Sequence, residues 1–198
     1  MSDILCVTNR RLCEGDFLEQ LEGVVLAGPA GVILREKDLP EAEYEDLARQ
    51  VLAICRAADV PCILHSAPAV AQRLGVSSLH MPLPALRRMT PEARAGFSVL
   101  GASCHSVEEA KEAQQLGCSY ITAGHVFATD CKRGVEPRGL GFLRAVCQSV
   151  EIPVYAIGGI KPEVMPQVRR AGAAGACVMS GLMRSTDPRR LLRELAGR

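Results

Sequence analysis

The sequence has no Cys-x-x-Cys pair, no His-x-x-x-His pair, no Gly-x-Gly-x-x-Gly after its first apolar run, and no apolar run of membrane-spanning length. Each absence removes a class. Without cysteines or histidines at ligand spacing, the common local zinc signatures are missing. Without the glycine fingerprint, an open dinucleotide-binding sheet loses its main support. The start of the chain lacks the basic region and long apolar core of a signal peptide, and no segment reads as a spanning helix. An excess of either charge is also lacking: 23 Lys and Arg face 22 Asp and Glu, for a net charge of +1. Nothing in that balance calls for a polyanionic partner. The expectation is a cytoplasmic protein with no nucleic-acid or membrane partner.

Cysteine, by contrast, is plentiful. There are nine, an odd number, and several lie within apolar runs, as Cys62 and Cys177 do. They read as small buried hydrophobes in a reducing compartment and not as a disulfide framework.

The chain has 198 residues, 48% of them hydrophobic, and suits one domain over residues 1–198. Brief apolar runs recur along it, each followed by a polar or glycine-containing turn and then a helical pattern. The predicted strands are Ile4–Thr8, Gly31–Arg35, Pro61–His65, Ser78–His80, Phe97–Ser103, Ser119–Gly124, Val154–Ile157 and Gly175–Met179. They are apolar without clean alternation, as strands covered on both faces are. Between them, Pro40–Ala58 carries Leu47, Val51, Ile54 and Cys55 at helical spacing. Ser106 with Glu109 forms a capping signal, and Asp187-Pro188 sets up the start of the last helix. Eight strand–helix units in this length predict an α/β fold, a single (β/α)8 TIM barrel.

In such a barrel the chemistry sits where strands end and loops begin. All four histidines lie at predicted strand ends: His65, His80, His105 and His125. They fall on successive strands, so convergence on a metal is geometrically open. With no local ligand pair and only Asp130 as a nearby carboxylate, the expectation is no metal and no cofactor. For each histidine the competing reading is a buried ring bonded to backbone, and for His65 and His80 the two weigh equally. His125 has glycine before it and the polar loop Thr129-Asp130-Cys131-Lys132 after it, which favours catalysis. An imidazole gives and takes protons near neutral pH. Gly158-Gly159 and Ser180-Gly181 uncover backbone N–H groups suited to a phosphate, the alternative being tight turns that close the barrel. Arg35 and Lys37 are a second candidate anion-binding pair, or ordinary solvated charges.

The motifs Ile33-Leu34-Arg35-Glu36-Lys37, Ala102-Ser103-Cys104-His105-Ser106, Ala156-Ile157-Gly158-Gly159-Ile160 and Val178-Met179-Ser180-Gly181 occur in the order of one family. With the segment Gly124–Lys132, they resemble the thiamine phosphate synthase/TenI superfamily across nearly the whole chain. In the synthase branch, Asn-Asp-Arg after strand 3 and Gly-Gln-Glu-Asp after strand 4 supply the carboxylates that hold magnesium. Here those segments read His65-Ser66-Ala67 and Pro82-Leu83-Pro84-Ala85. His125 stands where the synthases typically have proline, and this resembles the TenI branch, the thiazole tautomerases.

That likeness implies a cofactor-independent isomerase of thiamin biosynthesis. His125 would move a proton as a carboxythiazole phosphate becomes aromatic. Gly158, Gly159, Ser180 and Gly181 would hold the phosphate, and Arg35, Lys37, Ser103, His105, Thr122, Thr129 and Lys132 would bind the rest of the substrate. The implied partners are a small phosphorylated thiazole and a second copy in a homodimer. Two alternatives stand beside it: a thiamine phosphate synthase, and a non-catalytic regulatory protein that binds thiazole phosphate.

Overall fold

A computed structural model describes residues 3–132 and 134–197. Eight strands form a closed barrel in the order β1-β2-β3-β4-β5-β6-β7-β8, and neighbouring strands run parallel, as a (β/α)8 barrel requires. They are β1 (Ile4–Val7), β2 (Gly31–Leu34), β3 (Cys62–His65), β4 (Ser78–Pro82), β5 (Val99–Cys104), β6 (Tyr120–Gly124), β7 (Val154–Ile157) and β8 (Gly175–Val178). The helices are α1 (Phe17–Leu26), α2 (Glu41–Ala57), α3 (Pro68–Arg73), α4 (Leu83–Leu86), α5 (Pro91–Ala95), α6 (Val107–Gln115), α7 (Gly139–Ser149), α8 (Met165–Arg170), α9 (Ser180–Met183) and α10 (Pro188–Ala196). None is long and apolar enough to cross a membrane, among the described residues. The eight cysteines described are free, and six of them are buried.

The chain divides into two compact units, residues 1–79 with 178–198, and residues 80–177. In the first, β1, β2 and β3 are buried at every position, which explains their unbroken apolar runs. The register pairs Cys6 with Val32 and Val32 with Cys62. Helix α2 turns Tyr44, Ala48, Val51 and Cys55 inward at three- and four-residue spacing. The Tyr44 hydroxyl donates to the Leu34 carbonyl at 2.8 Å and accepts from the His65 amide at 3.1 Å, tying the ends of β2 and β3 together. Asp16 caps α1 by accepting from Leu18 and Glu19, and Asp187 caps α10 by accepting from Arg190.

In the second unit, β5 pairs Ser103 with Thr122 of β6, and β6 pairs Gly124 with Ile157 of β7. Pairing continues past the strands, where Val126 N–H donates to Ile157 (2.9 Å) and Phe127 N–H donates to Gly158 (3.0 Å). Ser106 caps α6 by accepting from the Glu109 amide at 3.1 Å. The Glu109 carboxylate reaches back to the His105 amide, one residue earlier than the reciprocal bond of a standard capping box.

Strand β7 matches the expected bounds, the other strands differ from them by one or two residues at one end or both, and at β4 the difference has a consequence. The strand runs to Pro82, so His80 is its central residue and not its end. Helix α4 follows at once, with Pro82 as its N-cap and Pro84 in its first turn, and it takes up Leu83, Pro84 and Ala85.

Candidate active site at the strand ends

Within residues 80–177, two groups of predicted residues come together. The first is centred on Ser103 and Thr122, side by side on β5 and β6. Their hydroxyls lie 3.4 Å apart, and Ser103 Oγ is also 2.9 Å from His80 Nε2. The second surrounds Gly124. His105 Nδ1 is 2.7 Å from the Gly124 carbonyl, which can only accept, so Nδ1 carries a proton. His125, the next residue, is 5% exposed. Its Nε2 lies 3.2 Å from the Val135 carbonyl and therefore carries a proton. Its Nδ1 is buried and, among the described residues, has no hydrogen-bond partner.

The glycine pair beside this group has a packing reason. Gly158 has φ +98, and a Cβ there would stand 2.3 Å from the Cβ of His125. Gly159 has φ +67, and its Cβ would meet the Ala128 carbonyl at 2.5 Å and the Phe127 Cβ at 2.7 Å. Both positions need glycine for backbone conformation, and both let the loop after β7 lie against the loop after β6. Thr129 is half-buried and Lys132 exposed.

Within residues 1–79 and 178–198, the Arg35-Glu36-Lys37 motif is built around its middle residue. Glu36 is 4% exposed. Its carboxylate accepts from the Thr8 hydroxyl at 2.7 Å, from the Arg10 amide at 3.1 Å to each oxygen, and from the Arg10 guanidinium at 3.3 Å. Arg10 also forms a two-bond fork to Asp38, at 2.7 Å for each contact, and this holds the Asp38 carboxyl down at about 2. Arg35 is half-buried, its amide fixed by Thr8 at 2.9 Å, and Lys37 is exposed. Ser180 and Gly181 open α9. A Cβ on Gly181 would face Val178 and Leu191 at 3.3 and 3.6 Å, so this glycine faces packed side chains.

Glu36, Tyr44, Gly101 and Tyr120 were not among the predicted site residues. Gly101 alone carried a sequence signal, as a glycine inside a strand where another group approaches closely. No group of three or more His, Cys, Asp or Glu is placed to hold a metal ion among the described residues. The segments at the ends of β3 and β4, His65-Ser66-Ala67 and Pro82-Leu83-Pro84-Ala85, carry no carboxylate for the magnesium that the synthase pattern implies.

The model of the thiamine monophosphate synthase family matches residues 4–182. The thiamine-phosphate synthase of Syntrophomonas wolfei is 33% identical over 91% of this chain and 88% of its own length. That of Moorella thermoacetica is 34% identical over 99% of this chain and 96% of its own. The structure of a thiamine phosphate pyrophosphorylase from Pyrococcus furiosus superposes with a TM-score of 0.82 at 30% identity, covering 97% of this chain and 92% of that one. These relatives correct the expected tautomerase, since they carry the synthase name. The setting of His125 agrees with the correction: the ring is closed in, and one nitrogen is committed to a backbone carbonyl. The wider expectation, an enzyme family of thiamine biosynthesis on a (β/α)8 barrel, holds. The chain belongs to the thiamine monophosphate synthase family.

Proposed function

We propose that this protein is a thiamine-phosphate synthase. It would join a thiazole phosphate to a pyrimidine that carries pyrophosphate, with release of the pyrophosphate. One observation carries the reading: 34% identity to a thiamine-phosphate synthase across 99% of this chain, with neither chain left substantially uncovered. The polar groups at the ends of β5 and β6 support it. Ser103, Thr122 and His105 offer hydrogen-bonding groups to a heterocycle. Gly158 and Gly159, with Ser180 and Gly181, are the proposed phosphate contacts, and Arg35, Lys37, Thr129 and Lys132 the proposed outer contacts.

The test is direct. Purified protein is incubated with both substrates, with and without magnesium, and thiamine phosphate is followed by chromatography. Formation of the product, falling at least tenfold in Ser103→Ala, is the expected result. Binding of the thiazole phosphate without any product in either condition would overturn the proposal and leave a ligand-binding protein.

A further inference from the structure

The interior of residues 80–177 holds a chain of polar side chains that the proposed reaction does not by itself require. Tyr120 Oη lies 2.9 Å from His80 Nδ1, and His80 Nε2 lies 2.9 Å from Ser103 Oγ. The Thr122 hydroxyl donates to the same Ser103 oxygen over a longer 3.4 Å. A glycine makes room for the chain: a Cβ on Gly101 would stand 2.3 Å from the Tyr120 ring and 2.6 Å from His80 Nδ1. The Tyr155 ring meets Tyr120 edge-on at 5.9 Å and limits its movement. Burial pushes the His80 pKa down to about 3, so at neutral pH the ring is uncharged and carries one proton.

The position of that proton sets the direction of every bond in the chain. A buried phenol is both donor and acceptor, and leaving its donor unmade is the costlier omission. The Tyr120 hydroxyl has His80 Nδ1 as its hydrogen-bond partner. If Nδ1 carried the proton, Tyr120 could only accept, and its own hydrogen would be stranded in the core. With Tyr120 donating, Nδ1 accepts and the ring proton lies on Nε2, from which it is donated to Ser103. Ser103 then accepts from His80 and from Thr122, and its own hydroxyl hydrogen is not used inside the network. Ser103 is half-buried and next to the last residue of β5, where strand gives way to loop.

We propose that His80 is a positioning residue. Held by Tyr120, it commits Ser103 to donate its hydroxyl hydrogen to a hydrogen-bond acceptor on the bound substrate, such as an unprotonated ring nitrogen or an anionic oxygen. The site would then read the sign of the ligand's hydrogen bond, admitting an acceptor there and rejecting a donor. The inference rests on the proposed synthase reading only for the identity of that acceptor.

Two measurements test it, and the first needs no turnover. Long-range nitrogen–proton NMR of the ligand-free wild-type protein reports which ring nitrogen of His80 is protonated. The expected result is a protonated Nε2 and a bare Nδ1, unchanged between pH 8 and pH 5, with the preference relaxed in Tyr120→Phe. A proton on Nδ1 in the wild type would overturn the inference, whatever the protein catalyses. The second is a double-mutant cycle on kcat/KM for thiamine phosphate formation, with folding checked by thermal melting. His80→Phe and Ser103→Ala should each cost roughly 10- to 100-fold, as lost hydrogen bonds to a committed donor do. In the Ser103→Ala background, His80→Phe should cost less than about threefold, since its effect passes through Ser103. Ser103→Thr should restore most of the rate. Fully additive losses would mark His80 as a packing residue and overturn the inference. Wild-type protein without synthase activity would refute the proposed function, while the nitrogen spectra would still decide this inference.

Discussion

Replacing Gly158 by alanine puts a methyl group where the structure has no room for one. The new Cβ would stand 2.3 Å from the Cβ of His125 and 2.8 Å from its Cα, against the 3.5–4.0 Å or so at which carbons rest. Neither atom is the tip of a flexible side chain, so relief requires one of the two loop backbones to shift by more than about 1 Å. The φ of +98 adds a conformational penalty of roughly 1–2 kcal/mol for a residue with a side chain. Overpacking adds roughly 1–3 kcal/mol. The expected loss is therefore about 2–5 kcal/mol, a large share of the roughly 5–15 kcal/mol that stabilises a typical domain. Urea unfolding followed by circular dichroism measures it, with a midpoint lowered at unchanged slope. Gly141→Ala is the control. It lies inside α7, has no neighbour within 4 Å of its Cβ, and should gain roughly 0.5–1 kcal/mol. If Gly158→Ala unfolded at the wild-type midpoint, the tight approach of the loops after β6 and β7 would be refuted, and with it the packing reason for that glycine.

Three further outcomes are expected. Tyr44→Phe should cost roughly 1–3 kcal/mol, because it withdraws a buried hydroxyl that serves both the Leu34 carbonyl and the His65 amide; a wild-type melting temperature would count against that bridge. Burial lowers the folded His80 pKa to about 3, so between that value and about 6.5 the unfolded chain holds more protons at this site. Its contribution to stability is intact above about pH 6.5 and lost as pH falls toward 3, so wild type should weaken more steeply with acid than His80→Gln in urea titrations at pH 7, 5 and 4; parallel slopes would refute this. The Cys104 and Cys118 thiols, both pushed up to about 12 by burial, should resist a thiol reagent at pH 8 in the native protein and react once guanidinium unfolds it. Rapid native labelling at either position would contradict their burial.

Strand order and fold were legible because they depend on local patterns. Brief apolar runs bounded by glycine and polar turns mark strands covered on both faces, and eight in succession leave few architectures. Caps were legible for the same reason, as at Ser106 and Asp187. The site was legible only in part. His105, His125, Ser103 and Thr122 could be picked out by their places near strand ends. The tie from Tyr44 to His65, 21 residues apart, and the contact of His80 with Tyr120, 40 residues apart, depend on register between elements. In Arg35-Glu36-Lys37 the flanking cations are the conspicuous residues in sequence, while the buried anion between them is held by Thr8 and Arg10 from the segment after β1. The choice of tautomerase over synthase rested on one histidine and on missing acids. The likeness to synthases, spread along the whole chain, outweighs them.

The Glu36 cluster has a dynamic consequence. Its carboxylate binds the Arg10 amide from the turn after β1, while the Arg10 guanidinium grips Asp38 in the turn after β2. Neither turn can swing away without breaking the other's contacts. In native-state hydrogen exchange the two should therefore open as one cooperative segment, with the Arg10 amide exchanging in step with the neighbours of Asp38 and not with the fraying of either loop alone.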